Sequence, residues 1–167
     1  MRRPMAIVTG LLCVAGPAIP VAVARDSIGL YSQWGAFRDP AAPRCYAIAK
    51  AAPSRLDRDY QPYATVGTWP RKALRNQVHF RASRKISPAA PIILTLGAQR
   101  FELTGGGGDA WPVDRRMNAA IVAGMRSART MTLSTRDTRG RRFSNTWNLA
   151  GAASAMDAAA LGCARLR

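Results

Sequence analysis

The sequence predicts a mainly β fold, a single-domain β-sandwich or partly open barrel of about eight short strands with two short helices, the last at the C-terminus. Short apolar runs separated by Pro and Gly recur from residue 28 to residue 149, which is typical of an all-β domain. Apolar residues at helical spacing occur only in two late segments. Hydrophobic residues make up 48% of the chain, which is enough to fill a core.

Four strands are predicted in the first half of the chain, at residues 28–37, 45–50, 63–69 and 76–82. Leu30, Trp34 and Phe37 are the core candidates of the first strand. Phe80 faces the core in the fourth strand, and the alternation of a strand therefore turns His79 outward.

Residues 92–96 and 100–104 predict a β-hairpin with Gly97 first in its two-residue turn. Four glycines follow at residues 105–108. Such a run can bind phosphate through backbone N–H groups, but a P-loop ends in Gly-Lys-Ser/Thr at a helix, and that ending is absent. We therefore predict a flexible loop at residues 105–108.

A helix is predicted after Asp114, which is a good N-cap, because Met117, Ile121 and Met125 recur at four-residue spacing. We assign this apolar stripe to the core.

A second hairpin follows at residues 130–135 and 142–149, joined by a type I turn with Asp137 first and Gly140 last. Asn145 has the parity of the inward-facing residues of its strand, so it needs a hydrogen-bond partner.

The N-terminus has the three parts of a signal peptide: two arginines, an uncharged apolar run over residues 5–16, and small residues up to Ala24. Residues 1–24 are therefore predicted to be a cleaved signal peptide, and residues 25–167 a single β-rich domain. The apolar run is too short for a permanent membrane span, although an uncleaved anchor is the alternative. We expect a periplasmic or secreted protein with no transmembrane span after cleavage.

Two cysteines remain after that cleavage, Cys45 and Cys163. Met156, Ala160 and Cys163 share one face of the predicted final helix, which points Cys163 at the core. An even number of cysteines in an exported chain favours a disulfide. Two free thiols or a metal site are the alternatives, and two cysteines with no nearby histidine make a poor zinc site. We expect a Cys45–Cys163 disulfide, no metal and no cofactor.

Several short motifs follow one another in order: Trp34 to Phe37, Arg44 to Ile48, Asp109 to Trp111, Ala119 to Arg126, Met131 to Leu133, Arg139-Gly140, Trp147 to Gly151, and Ala158 to Cys163. In this order they resemble the invasion associated locus B family of exported bacterial proteins. The resemblance implies a signal peptide, a periplasmic or envelope location, a β-rich domain and a disulfide near the two ends. It offers no catalytic motif to transfer. Residues 105–108, Trp147 and the basic surface depart from the family pattern.

Catalytic residues are scarce. The chain has one histidine, His79, one glutamate, Glu102, and no Gly-x-Ser-x-Gly motif. A lone histidine on the polar face of a strand is usually a surface residue. Glu102 with Asp109 is a weak candidate pair for glycoside cleavage. We therefore predict no enzymatic activity and no catalytic residue.

The main chemical signal is charge, with a formal net charge of +16 that falls to +14 if the two arginines of the signal peptide are removed. Three clusters are candidate anion-binding residues: Arg71, Lys72 and Arg75; Arg81, Arg84 and Lys85; and Arg139, Arg141 and Arg142. Such a positive field attracts anionic polymers. An evenly solvated basic surface is the alternative.

Three functions are consistent with these observations. The first is a non-enzymatic envelope protein that binds anionic envelope or host-surface components. The second is a protein-binding module, such as an inhibitor or envelope assembly factor, and the third is a cryptic hydrolase. Nucleic acid is disfavoured as a partner by the export signal, and because the tryptophans are assigned to the core and not to stacking platforms.

Overall fold

The computed structural model describes residues 25–164. The predicted signal peptide, residues 1–24, lies outside the described residues. The strands are β1 (Asp26–Tyr31), β2 (Trp34–Asp39), β3 (Arg44–Lys50), β4 (Tyr63–Trp69), β5 (Leu74–Ile86), β6 (Ile92–Leu96), β7 (Gln99–Trp111), β8 (Thr130–Arg136) and β9 (Arg142–Asn148). The α-helices are α1 (Arg115–Met125) and α2 (Ala152–Ala164), and a 3-10 turn at Pro70–Lys72 links β4 to β5.

The strands form one antiparallel sheet in the order β1-β2-β3-β4-β5-β7-β6-β8-β9. The sheet does not close, so β1 and β9 are its edges. It is strongly curled, since Phe80 of β5 packs on Trp147 of β9 with ring centroids 5.5 Å apart. The prediction of a mainly β fold with two helices, the second at the C-terminus, is confirmed. Within residues 25–164 the sheet has nine strands where about eight were expected.

The glycine run at residues 105–108 is part of β7, so the prediction of a flexible loop is wrong. β7 pairs with β6 before the run and with β5 around and after it. Gly107 has φ +63°, a conformation that L side chains rarely adopt, and a Cβ on Gly105 would lie 2.2 Å from the carbonyl oxygen of Asp109. Glycine is therefore required here to bend one strand between two parts of the sheet.

The single strand predicted at residues 28–37 is wrong, because β1 and β2 are two strands of a hairpin. Ser32 makes the turn with φ 54°, although it is not glycine. Trp34 is fully buried, but the turn leaves Leu30 77% exposed, so its core assignment is also wrong.

The C-terminal helix packs on β1 to β4, and small residues set the close distance of this packing. Ala152, Ala155 and Ala159 of α2 are buried, whereas Ala160, which was predicted to face the core, is exposed. Cys163 ends this buried face and forms a disulfide with Cys45 of β3, with Cα atoms 5.6 Å apart. The predicted disulfide is confirmed.

Two polar side chains serve the fold as predicted. Asp114 caps α1 by accepting a hydrogen bond from the backbone N–H of Met117 at 2.7 Å. Asn145 is 3% exposed, and its side-chain oxygen accepts a hydrogen bond from the backbone N–H of Ser83 at 2.9 Å. In the part of the chain that the structure describes, neither helix is long and apolar enough to cross a bilayer.

Candidate functional site: a basic and aromatic groove

The site lies on the outer face of β3, β4 and β5. Alternate residues of these strands face the core, and the residues between them face the site. Cys45, Ala47 and Ala49 of β3 are buried under α2, so the residues between them face outward. The outward residues of the three strands, with neighbours from β7 and the Pro70–Lys72 turn, enclose an open groove of about 610 Å³. We call it the basic–aromatic groove, and its lining includes Arg25, Arg44, Tyr46, Tyr63, Thr65, Trp69, Lys72, Leu74, Gln77, His79 and Trp111.

Aromatic rings make up much of the groove wall. The His79 ring lies between Tyr63 and Trp111, with centroid distances of 5.7 and 5.3 Å. The Trp69 ring lies over Gly67, where a Cβ would stand 2.7 Å from it. The glycine thus makes room for the indole ring.

The assignment of all four tryptophans to the core is wrong for two of them. Trp34 and Trp147 are fully buried as predicted, but Trp111 is 37% exposed and Trp69 is partly exposed in the groove. The position of Trp69 could have been found from the sequence, because it shares strand parity with Tyr63, opposite to the core residues Ala64 and Val66.

A chain of polar contacts fixes one side of the groove. His79 Nε2 lies 3.0 Å from Asp109 Oδ1, and Arg81 forms an ion pair with the other oxygen of the same carboxylate. The Arg81 guanidinium stacks over the Tyr60 ring, 3.9 Å from its centroid. Burial alone would raise the pKa of Asp109, but hydrogen bonds from Arg81 and His79 outweigh it and lower that pKa. Asp109 is therefore an ionised carboxylate that orients His79.

Of the first predicted cluster, Arg71, Lys72 and Arg75, only Lys72 lines this groove, and Arg75 lines a second groove against α1. All three are exposed, on the turn between β4 and β5 and at the start of β5. Within residues 25–164, no carboxylate lies within 4 Å of their charged groups. Deeper in, Arg44 is partly neutralised by Asp39 at 3.3 Å.

The second predicted cluster is divided by the fold. Arg81 belongs to the groove through its pair with Asp109. Arg84 is 6% exposed, donates to the backbone oxygen of Asp57 at 2.8 Å and pairs with Asp137 at 3.1 Å. Strand alternation turns the Arg84 guanidinium inward, so it does not contribute to an anion-binding surface. The next residue, Lys85, is exposed.

The third predicted cluster lies around the β8–β9 turn. All three arginines are exposed, and Arg141 pairs with Asp137 at 2.8 Å. The backbone N–H of Thr138 donates to the carbonyl of Lys85 at 3.2 Å, so Lys85 joins this cluster. The three predicted clusters thus become two exposed basic regions, one beside the groove and one at this turn.

The fold and the site together define a disulfide-linked, open antiparallel sheet with a basic and aromatic groove on one face. No family model matches the chain, and no curated protein or solved structure is significantly similar to it. The resemblance to the invasion associated locus B family therefore stays a sequence-based prediction. Among the described residues, no cluster of three His, Cys, Asp or Glu side chains could hold a metal ion.

Proposed function

We propose that this chain is an exported, non-enzymatic envelope protein that binds anionic groups of envelope or host-surface components in the basic–aromatic groove. One observation carries the proposal: Lys72, an exposed cation with no carboxylate within 4 Å among the described residues, lines a concave surface of aromatic rings together with Arg25 and Arg44, which share the single carboxylate of Asp39. Unpaired cations attract acidic groups, and ring faces give apolar contact to whatever carries those groups. The resemblance to invasion associated locus B proteins supports the periplasmic or secreted location.

The disulfide supports export as well. A bond between Cys45 and Cys163 is formed and retained in oxidising compartments, and it is rare in the cytosol of mesophiles. Intact-mass measurement of the exported protein tests both parts of this statement. We expect a mass that corresponds to cleavage after Ala24 and no alkylation before reduction. Retention of residues 1–24, or two reactive thiols, would contradict it.

Binding to soluble acidic polymers tests the function itself. We expect polyphosphate and heparin to bind and to change the tryptophan fluorescence, since Trp69 and Trp111 line the groove. The affinity should fall steeply as salt is added, because exposed charges are screened. Binding that is insensitive to salt, or absent at low salt, would refute the proposal.

A hydrolase is the second candidate, because the structure places His79 beside Asp109 in a groove. A histidine oriented by a carboxylate is the base of a hydrolytic triad. The residue directly opposite His79 on β4 is Thr65, whose hydroxyl is the nearest candidate nucleophile by register. Glu102 is not part of this site, because it pairs opposite Ile93 on the other side of the glycine bend.

His79→Asn tests the hydrolase candidate against a panel of ester, peptide and glycoside substrates. A hydrolase would lose its turnover in this variant. Turnover that survives the substitution would rule out His79 as the base. If the wild type turns over none of the substrates, the hydrolase candidate fails and the binding function remains.

A protein-binding module, the other function predicted from the sequence, would use an edge of the open sheet. β1 is such an edge and carries Leu30, which is 77% exposed. One stoichiometric protein partner, lost in Leu30→Asp and retained in Lys72→Glu, would favour this function over anion binding.

A further inference from the structure

Three exposed apolar side chains lie where the basic–aromatic groove meets a second groove, and we call them the apolar tip: Leu74, Trp111 and Val113. They are 37%, 37% and 54% exposed. Leu74 lines the basic–aromatic groove with Trp111 and a second groove, against α1, with Val113. The other large hydrophobic residues that are exposed in residues 25–164 lie on other elements: Leu30, Leu56 and Leu161.

Three cations line the same two grooves as this tip. Lys72 lines the first groove with Leu74, while Arg75 and Arg115 line the second groove with Leu74 and Val113. In the described part of the chain, none of these three cations has a carboxylate within 4 Å of its charged group. Apolar side chains with three such cations beside them match a surface that carries anionic groups over an apolar layer.

The tip is held in place by α1. Asn118 accepts a hydrogen bond from the backbone N–H of Val78 at 2.9 Å and donates one to the carbonyl of Asn76 at 2.9 Å. These two bonds tie the first turn of α1 to the start of β5, so the strand bearing Leu74 and the segment bearing Val113 keep a fixed relation. A preformed surface loses less conformational entropy on binding.

We propose that the apolar tip docks this protein on a lipid bilayer that contains anionic lipids. Leu74, Trp111 and Val113 enter the boundary between headgroups and acyl chains, where tryptophan is favoured. Lys72, Arg75 and Arg115 contact the anionic headgroups above it. This inference rests on the proposed function and names the bilayer as the source of the anionic groups.

Vesicle flotation with the purified protein tests the docking, with vesicles of phosphatidylcholine alone and with added phosphatidylglycerol. The wild type should float only with the anionic vesicles, and its tryptophan emission should shift to shorter wavelength. Leu74→Ser/Val113→Ser should weaken the vesicle affinity by about tenfold or more. Val113→Ser alone, which leaves the lining of the basic–aromatic groove intact, should also weaken the vesicle affinity, with unchanged affinity for polyphosphate. Leu30→Ser/Leu161→Ser, which removes even more exposed apolar side chains elsewhere, is the control and should bind vesicles like the wild type.

The outcomes separate this inference from the proposed function. Binding to polyphosphate without binding to anionic vesicles, or vesicle binding that Leu74→Ser/Val113→Ser leaves unchanged, overturns the docking and leaves the proposed function standing. Failure to bind both polyphosphate and anionic vesicles at low salt overturns both. A dimer in solution that dissociates in Leu74→Ser/Val113→Ser would make a second copy of the chain the occupant of the tip and would also overturn the docking.

Discussion

At the scale of single residues, buried polar groups connect parts of the sheet that are distant in sequence. Asn145 of β9 accepts the backbone N–H of Ser83 in β5, and both lie where the curled sheet meets itself. An unsatisfied buried N–H group costs about 1–3 kcal/mol. The Asn145 side chain therefore links β9 to β5 across the curled sheet. This hydrogen bond explains why a polar residue occupies an inward-facing position of β9.

We expect Asn145→Ala to lower the free energy of unfolding by about 1–3 kcal/mol, because the N–H of Ser83 then loses its acceptor. Urea titration measures the change. Ser144→Ala on the exposed face of the same strand is the control and should be nearly neutral. Equal losses in the two variants would contradict the role assigned to Asn145.

Asp137 links stability to acid pH. Burial alone would raise its pKa, but hydrogen bonds from Arg141 and from the backbone N–H of Arg139 outweigh burial and lower the pKa to about 2. An unfolded aspartate has a pKa of about 3.9. The unfolded state therefore binds more protons between these values, so the stabilisation is complete above about pH 4 and is lost as the pH falls toward about 2.

Urea midpoints measured from neutral pH down to acid should therefore fall across this window, and Asp137→Asn should make the fall shallower. The variant should also be less stable at neutral pH, because Arg84 is left buried without its counter-charge. The same pH dependence in both proteins would show that Asp137 does not carry it. The pKa values of Asp109 and Asp157 are also lowered, and they act in the same direction. We expect them to cause the fall in stability that remains in Asp137→Asn.

At the scale of elements, the bend of β7 decides how the sheet curls. Two glycines of the same run occupy very different surroundings. A Cβ on Gly105 would meet the backbone of Asp109 at 2.2 Å, whereas a Cβ on Gly106 would have nothing within 4 Å.

Gly105→Ala should therefore cost about 1–3 kcal/mol of stability as an overpacked position. Gly106→Ala should be close to neutral, and the pair is matched in composition and position. Chemical denaturation of both variants measures the difference. If Gly106→Ala were as destabilising as Gly105→Ala, crowding at the bend would not be the reason for the glycines.

Local patterns predicted the elements well wherever alternation or capping chemistry was complete. The bounds of β4 and β6, the Asp114 cap and the Asp137–Gly140 turn follow from such patterns. The Ser32 turn was missed because it lacks glycine, proline or asparagine.

The strand at residues 105–108 was missed for a different reason, since only pairing with β5 explains it. The groove was missed because four strands contribute to it. No local pattern brings Asp109 to His79 across 30 residues of sequence.

At the scale of the whole molecule, the disulfide joins β3 to the C-terminal helix α2 across 118 residues of sequence. Removing a native disulfide typically costs about 2–5 kcal/mol. We expect Cys45→Ser/Cys163→Ser to lose that much in urea titration, and reduced wild type to unfold at the same midpoint as the variant. Reduction that leaves the wild-type midpoint unchanged would contradict this role.

We propose that anions bind in the groove and are not held by the net charge of +16 as a whole. Lys72 at the groove and Lys85 beside the β8–β9 turn are both exposed, so Lys72→Glu and Lys85→Glu change the net charge equally in different places. The most direct test compares the affinities of these two variants for polyphosphate at one low salt concentration. If the groove binds the anion, the affinity falls strongly in Lys72→Glu and only slightly in Lys85→Glu, whereas equal losses would show that the net charge alone is responsible.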